Sequence, residues 1–431
     1  MLFAASRPAI HPPFPVVNWR GQEPSPRLSA CPGRAWLRFI GFVSGLRLLH
    51  GFTHFRGLGG VQSMLRLHHA GDAAHGLESV FCAYFEPLEP GIQRVRGLGL
   101  SGLSSITTAR RRFRQLSTPP PEVMAWHNLW GLAFLADRDR AARRLGVLHS
   151  DFPGLAGWLP GLRGLLDGAL CVSRPLLEMV RTALPELTGE RAAWLPYPVA
   201  RERPEAPQPP PVGRPWVIGY AGRLARAQKR VDRFPDLVRA LREDGVDFRF
   251  EFLGDGPEAT WLRRQLAGES HVRFHGRLEG ATYWNALRGW DALVFVSDYE
   301  GLPIALLEAL AVGVLPVYPA IGSGGDAYAA GVRPDLLYPA GDLAAAVQVL
   351  RRLAASPPEE LAALRQRANE LAAPHLGDCY LDTFARHTRA LAALPRISQV
   401  APARRGCAPH VWLPFGLLRR FWPGGLWRCV S

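Results

Sequence analysis

Short apolar runs alternate with amphipathic stretches along most of the 431-residue chain. The first apolar run, 46–53, ends in polar residues. Arg56-Gly57-Leu58-Gly59-Gly60-Val61-Gln62 and a helical stretch at 63–69 follow it. Strand, glycine-rich loop and helix in that order open a Rossmann-like unit. The pattern predicts further strands at 79–85, 122–126, 146–148, 168–172 and 192–195, with helices at 132–144 and 174–184. Strands separated by helices imply a parallel sheet covered on both faces.

A second alternation starts at residue 216. Strands are predicted at 216–221, 248–253, 272–275, 291–296 and 315–318, and helices at 231–243, 258–266, 303–312, 342–354 and 358–372. Between the halves, residues 201–215 hold six prolines, which neither helix nor sheet can carry through. The fold class is therefore α/β, with two Rossmann-like domains in tandem at 46–200 and 216–374. Residues 1–45 are proline-rich and aperiodic, and read as a disordered extension or as translation from an upstream start.

Composition and charge refine this picture. Hydrophobic residues at 48% and charged residues at 20% mark a globular chain. The net charge is +14 and is uneven: residues 1–115 hold 14 Arg against 5 acids, and residues 395–431 hold 6 Arg and no acid. The middle of the chain is close to neutral. A nucleic-acid enzyme would more often carry basic charge around its cleft, so no nucleic-acid partner is expected. Charge at the ends fits an anionic membrane surface, and GC-rich coding that inflates arginine fits equally. The basic run at 108–114 is open to the same two readings. The tail at 395–431 interleaves aromatic and basic residues, which suits an interfacial anchor or packing on the first domain.

The six cysteines form no C-x-x-C pair, and Cys82 and Cys171 lie in apolar runs as expected of buried thiols. No apolar run reaches the ~18 residues of a spanning helix. Pro8, Pro12, Pro13 and Pro15 break any signal-peptide core, so the expected location is cytoplasmic.

Two constellations carry chemistry. The first is Glu300-Gly301-Leu302-Pro303 with Glu308, following the predicted strand at 291–296. Ligands of open α/β sheets bind beyond the strand C-termini. Glu300 and the start of the next helix belong there, and free N–H groups at a helix start suit a diphosphate. Two carboxylates flanking such a site can accept hydrogen bonds from sugar and ribose hydroxyls. The second is Gly219-Tyr220-Ala221-Gly222-Arg223, with Lys229 six residues on. Arg223 and Lys229 offer charge-assisted bonds to phosphate oxygens. Lys229 is the one lysine among 51 basic residues. A compact ammonium on one phosphate is a role that arginine fills poorly. Asp137-Arg138-Asp139 spells D-x-D but sits on a polar helical stretch, as a solvated face would.

These residues resemble the retaining glycosyltransferases of the GT-B fold, family 4. Gly222-Arg223-Leu224 with Lys229 and the Glu300/Glu308 pair carry the likeness. Phe252-Leu253-Gly254-Asp255-Gly256-Pro257 and Gly59-Gly60-Val61-Gln62 support it. The resemblance implies two domains facing each other across a cleft, acceptor side first and donor side second. Residues 375–394 would be a helix crossing back to the first domain. It implies that Arg223 and Lys229 hold a donor diphosphate, Glu308 the ribose, and Glu300 with Gly301 and Leu302 the transferred sugar. Backbone at Gly59, Gly60 and Gly222 would approach the donor, and His127 would lie near its sugar. The implied partners are a nucleotide-sugar donor and a glycan or lipid-linked acceptor, with peripheral contact to an anionic membrane. No metal and no firm protein nucleophile are implied. Gln62 stands where many members have Glu, and Gly324-Gly325-Asp326 departs from the usual loop. The alternatives are a GT-B-shaped sugar-nucleotide epimerase and a non-catalytic basic scaffold or nucleic-acid binder. His149 is placed by sequence either in the cleft or in the core, and His54, His68 and His69 at the surface or in packing.

Overall fold

The computed structural model describes residues 45–56, 59–88, 91–116, 118–136, 141–199, 213–376, 379–397 and 413–417. Residues 1–44, most of the proline-rich linker, the Asp137-Arg138-Asp139 motif and most of the tail lie outside the described residues.

The first sheet contains β1 (Leu46–Phe52), β2 (Leu77–Ala83), β3 (Val95–Gly97), β4 (Val123–His127), β5 (Arg143–Leu148), β6 (Gly168–Cys171) and β7 (Ala192–Trp194). Their order is β3-β2-β1-β4-β5-β6-β7. The second contains β8 (Trp216–Ala221), β9 (Phe248–Leu253), β10 (Val272–Gly276), β11 (Ala292–Val294), β12 (Leu315–Ala320) and β13 (Leu337–Pro339), in the order β10-β9-β8-β11-β12-β13. Every strand pair in both sheets is parallel. Parallel strands with helices on both faces bury nearly all their side chains, so β4, β11 and β12 read as near-continuous apolar runs. Strand order reverses between β1 and β4 and between β8 and β11. Those two switch points are where such sheets open a crevice.

Three features depart from the sequence pattern. The helix predicted at 132–144 ends at Leu135, and Arg143 and Arg144 begin β5. Two adjacent arginines look like an exposed helix end. Arg144 is instead buried, its N–H on Asp167 Oδ2 at 2.9 Å and its guanidinium reaching the Leu165 carbonyl. Strands β3 and β13, three residues each, are too short to show a period. The Gly324–Val332 helix starts on two glycines, which have poor propensity, but a Ser323/Asp326 capping box satisfies its first N–H groups.

The Cys379–Ala393 helix packs on the first domain. Its Tyr380 hydroxyl lies 3.4 Å from His68 Nε2, and its Asp382 binds His75 Nδ1 at 2.5 Å. The described part of the tail also sits on that domain. Phe415 is buried against Phe85, Trp130 and Phe134.

Candidate functional site

The chemistry collects where the loops after the strands of the two sheets meet. On the second domain, β11 is followed by Ser297 and a loop that ends at Pro303, the cap of the Ile304–Ala311 helix. Proline there sacrifices no hydrogen bond, because the first turn has no acceptor for its N–H. Glu300 lies in this loop at 4% exposure. One carboxylate oxygen takes Lys229 Nζ at 2.6 Å and Ser297 Oγ at 2.7 Å, and the other accepts from Gln228 Nε2 at 3.2 Å. Gln228 also donates to the Tyr299 carbonyl at 3.1 Å, tying the two segments together. The sole lysine and Glu300, far apart in sequence, thus form one half-buried ion pair.

Arg223 lies in the loop after β8. It is exposed, and its guanidinium makes no hydrogen bond or ion pair with a described residue. Backbone crowding sets its loop: a Cβ on Gly254 would stand 1.9 Å from the Gly222 carbonyl oxygen, and Gly254 has φ +138°. Only glycine allows this approach. Leu224 N–H then donates to the Asp255 carbonyl at 2.9 Å, joining the two glycine motifs.

Glu308 is on the flank of the Ile304–Ala311 helix and accepts from the Tyr283 hydroxyl at 2.5 Å. Burial raises its pKa, and the Tyr283 hydrogen bond partly opposes the rise. It does not touch the Lys229–Glu300 pair.

The first domain meets this loop at three places. A Cβ on Gly60 would lie 3.2 Å from Ile304 Cδ1, so the glycine-rich loop faces the start of the donor-side helix. Gly301 pairs with Ser150 in an antiparallel bridge, and a Cβ on Gly301 would lie 2.2 Å from the His149 carbonyl oxygen. Gly324 backs onto Ser173, the cap of the Arg174–Ala183 helix, and its N–H donates to the Gly301 carbonyl at 2.8 Å. Gly59 precedes this contact with its backbone toward Gln62.

His127, expected near the donor sugar, is the last residue of β4. It is 2% exposed, and both ring nitrogens are engaged: Nε2 lies 2.9 Å from His50 Nδ1, and Nδ1 lies 2.7 Å from His149 Nε2. His50 Nε2 continues to Asp72 Oδ2 at 3.1 Å, and His149 Nδ1 ends on the Tyr197 hydroxyl. His149 is therefore a core residue, as is His68, whose Nδ1 lies 2.8 Å from Asp72 Oδ1. Ser79 donates to Asp72 as well.

The polarity of this chain follows from valence. A carboxylate only accepts, so His50 carries its proton on Nε2. A neutral His50 then accepts at Nδ1 from His127, which accepts from His149, which accepts from Tyr197. All three imidazoles are held neutral: burial pushes the pKa of His50 and of His127 down, and that of His149 to about 3. Burial would raise Asp72, but attraction to His68 and hydrogen bonds from His50 and His68 hold it well below the ordinary carboxylate range. His50, His68 and Asp72 offer ligand atoms within 4.8 Å of one another. Their 2.8 and 3.1 Å spacings are those of N–H···O hydrogen bonds. Neither His50 nor Asp72 stood out as a site residue in the sequence. The histidines fall near the ends of three neighbouring strands, β1, β4 and β5, which is visible only once the strand order is known.

The basic run at 108–114 forms the end of the Ile106–Arg114 helix. Two of its arginines brace the fold: Arg110 donates to the Phe134 carbonyl at 2.8 Å, and Arg112 to the Leu98 and Gly99 carbonyls at 2.8 and 2.6 Å. Among the described residues no helix is long and apolar enough to cross a membrane.

Residues 215–356 match the family model described as glycosyl transferases group 1. The matched segment is about a third of the chain. It holds Arg223, Lys229, Glu300 and Glu308. The chain is 33% identical over 144 residues to the "Putative colanic acid biosynthesis glycosyltransferase WcaL" of Escherichia coli (strain K12), covering 31% of this chain and 35% of the relative. The match thus spans about a third of that curated relative. Among solved structures, the apo lipopolysaccharide outer core galactosyltransferase WaaB aligns at TM-score 0.59 and 16% identity, over 80% of this chain and 99% of that one. Anabaena Alr3699/HepE in complex with UDP and glucose aligns at TM-score 0.57 and 15% identity, over 81% and 100%. At such identities the likeness establishes the fold. The paired Rossmann-like domains are the GT-B architecture of the glycosyltransferases.

Proposed function

We propose that the protein is a retaining glycosyltransferase. It would move a hexose from a nucleotide-diphosphate sugar to a glycan or lipid-linked acceptor in cell-surface polysaccharide or glycolipid synthesis. The observation that carries this reading is the Lys229–Glu300 pair, set one residue from the Gly301 bridge to the first domain. An incoming diphosphate competes for Lys229 and frees Glu300 to accept sugar hydroxyls. Arg223, without a described partner, supplies a second cation. The start of the Ile304–Ala311 helix, which has no side-chain cap, supplies N–H donors.

Leaving-group departure builds charge on the β-phosphate. Fixed cations and N–H dipoles stabilise that charge most in the transition state. On this reading no metal is needed, because these groups provide the positive charge. Glu308, kept in place by Tyr283, would accept from the ribose. His127 acts through the rings on either side of it rather than by touching the sugar. The bound UDP and glucose of the Anabaena neighbour and the colanic acid biosynthesis named for the Escherichia coli relative agree with this reading. The protein would work in the cytoplasm at the inner face of the membrane.

The test is a thermal-shift screen of UDP-, GDP- and ADP-sugars followed by a transfer assay. A donor at about 100 times its Kd adds about 2.7 kcal/mol to stability. One nucleotide-sugar class should raise the Tm, with nucleotide release only when acceptor is present. Conversion of the donor to a free epimer without acceptor would favour an epimerase. Absence of any donor response would defeat the proposal.

A further inference from the structure

Four leucines are the large apolar side chains left exposed among the described residues, and all four gather around one loop. Leu88, Leu103, Leu413 and Leu417 are 60, 86, 38 and 44% exposed. The loop, residues 98–105, joins β3 to the Ile106–Arg114 helix and carries Leu103. Leu88 reaches it from beyond β2: a Cβ on Gly99 would lie 3.5 Å from Leu88 Cγ. Leu413 and Leu417 are brought to it by the tail. The N–H groups of Phe415 and Gly416 donate to the carbonyls of Ser104 and Gly102, each at 2.8 Å. Phe415, at 5% exposure, anchors the tail while the leucines on either side stay in solvent. Single exposed leucines are ordinary, but a grouping that takes in every one of them marks a contact surface.

The surroundings of the patch are cationic. The Ile106–Arg114 helix follows the loop directly and exposes Arg111 and Arg114. Apolar side chains among arginines match the acyl boundary and anionic headgroups of a lipid surface. A second copy of the chain would bring like charges together. The patch also lies close to the glycine-rich loop: Phe85, which packs on Phe415, stacks on His54, two residues ahead of that loop, at 5.5 Å between ring centroids.

We propose that Leu88, Leu103, Leu413 and Leu417 form a membrane-docking patch that inserts into an anionic bilayer, with the tail pinned by Phe415 supplying half of it. This deepens the glycosyltransferase reading on its acceptor side, because docking here brings the glycine-rich loop to the lipid surface. The basic helix contributes charge at the edge, while its Arg110 and Arg112 remain turned into the fold.

The experiment is co-sedimentation of the full chain with phosphatidylcholine vesicles, with and without phosphatidylglycerol. Wild type should bind the anionic vesicles and bind the neutral ones more weakly. The Leu103→Glu/Leu417→Glu double variant should lose about tenfold or more in vesicle affinity. Its Tm and its donor-induced thermal shift should not change. Arg111→Glu should weaken binding less and reduce its salt dependence. Equal binding by wild type and the leucine variant would overturn the proposal. So would a wild-type dimer that the leucine variant dissociates, or vesicle binding seen only after removal of residues 1–44. Donor response is read separately, so vesicle binding without donor response would sink the enzyme reading and leave the patch standing.

Discussion

Lys229 Nζ stands 2.6 Å from Glu300 Oε1, and the pair joins the loop after β8 to the loop after β11. With side-chain exposures of 18 and 5%, neither charge is fully solvated. Removing the lysine leaves a buried carboxylate supported by Ser297 and Gln228 alone. Breaking a fully buried pair costs about 3–5 kcal/mol, and partial exposure of the lysine should reduce this to about 1–3 kcal/mol. Lys229→Ala is therefore expected to lower the Tm by several degrees and to abolish the donor-induced shift in a thermal melt. Lys229→Arg should fold, because it keeps the charge. It should still lose about tenfold or more in kcat/KM, since a planar fork cannot replace a compact ammonium. Full activity in Lys229→Ala would exclude the lysine from the donor site.

Glu308 gives a pH prediction. Burial raises its pKa, and the Tyr283 hydrogen bond acts against that rise. Ribose hydroxyls donate best to an ionised carboxylate. Donor affinity should therefore increase as pH rises through the Glu308 midpoint and level off above it. Tyr283→Phe removes the group that favours ionisation, so the midpoint should move to higher pH. Glu308→Gln should flatten the profile and weaken donor binding about tenfold, a loss of about 1.4 kcal/mol. Titration calorimetry at a series of pH values measures all three.

The buried histidines make stability fall on acidification. Protons bind His50, His127 and His149 more readily in the unfolded chain, where their pKa is near the ordinary 6.5, than in the folded one. For His149 the folded value is about 3, so its contribution is intact above about 6.5 and declines as pH drops from there toward 3. Each proton taken up only by the unfolded state costs about 1.4 kcal/mol per pH unit. Asp72 acts in the same direction at lower pH, because its carboxylate is held down in the fold. The groups facing this row are His68, Ser79, Tyr197 and Tyr380. Melting temperature should drop steadily from pH 7 to pH 4, and His149→Gln should make that drop shallower. Nitrogen chemical shifts should report Nε2–H tautomers for His50, His127 and His149. An Nδ1–H tautomer at His127 would contradict the polarity assigned to the chain.

The strands and the donor loop were legible in the sequence because their signals are local. β8 and β9 fall on their predicted residues, 216–221 and 248–253, since β8 is an apolar run, β9 alternates Phe with Arg249 and Glu251, and a glycine follows each. Lys229 stood out by composition, and Glu300 by its place after an apolar run and before Pro303. The histidine row was illegible because it depends on strand order. His50, His127 and His149 are 77 and 22 residues apart and meet only because β1, β4 and β5 are neighbours. The hydrogen bonds of His127 were illegible for the same reason, since both its partners come from neighbouring strands. The leucine patch was hidden too, because an exposed leucine in a loop looks like any other apolar residue until the packing of Phe415 is known.

Gly301 separates closure of the two domains from stability of either one. Its missing Cβ is what admits the His149 carbonyl oxygen, 2.2 Å from where that carbon would stand, and the Ser150 Cα at 2.8 Å. Both neighbours are backbone and cannot swing aside. Gly301→Ala should push the first domain off the donor loop while leaving each sheet intact. The expected result is a donor KM raised about tenfold, a Tm within a few degrees of wild type and a larger radius of gyration in solution scattering. Gly254→Ala is the contrasting variant. Its Cβ would strike the Gly222 carbonyl within one domain, at φ +138°. Strain of that kind costs about 1–3 kcal/mol, so Gly254→Ala should depress the Tm directly. If Gly301→Ala instead unfolds the protein as readily as Gly254→Ala, the Ser150–Gly301 bridge is part of the folding core rather than a closing contact.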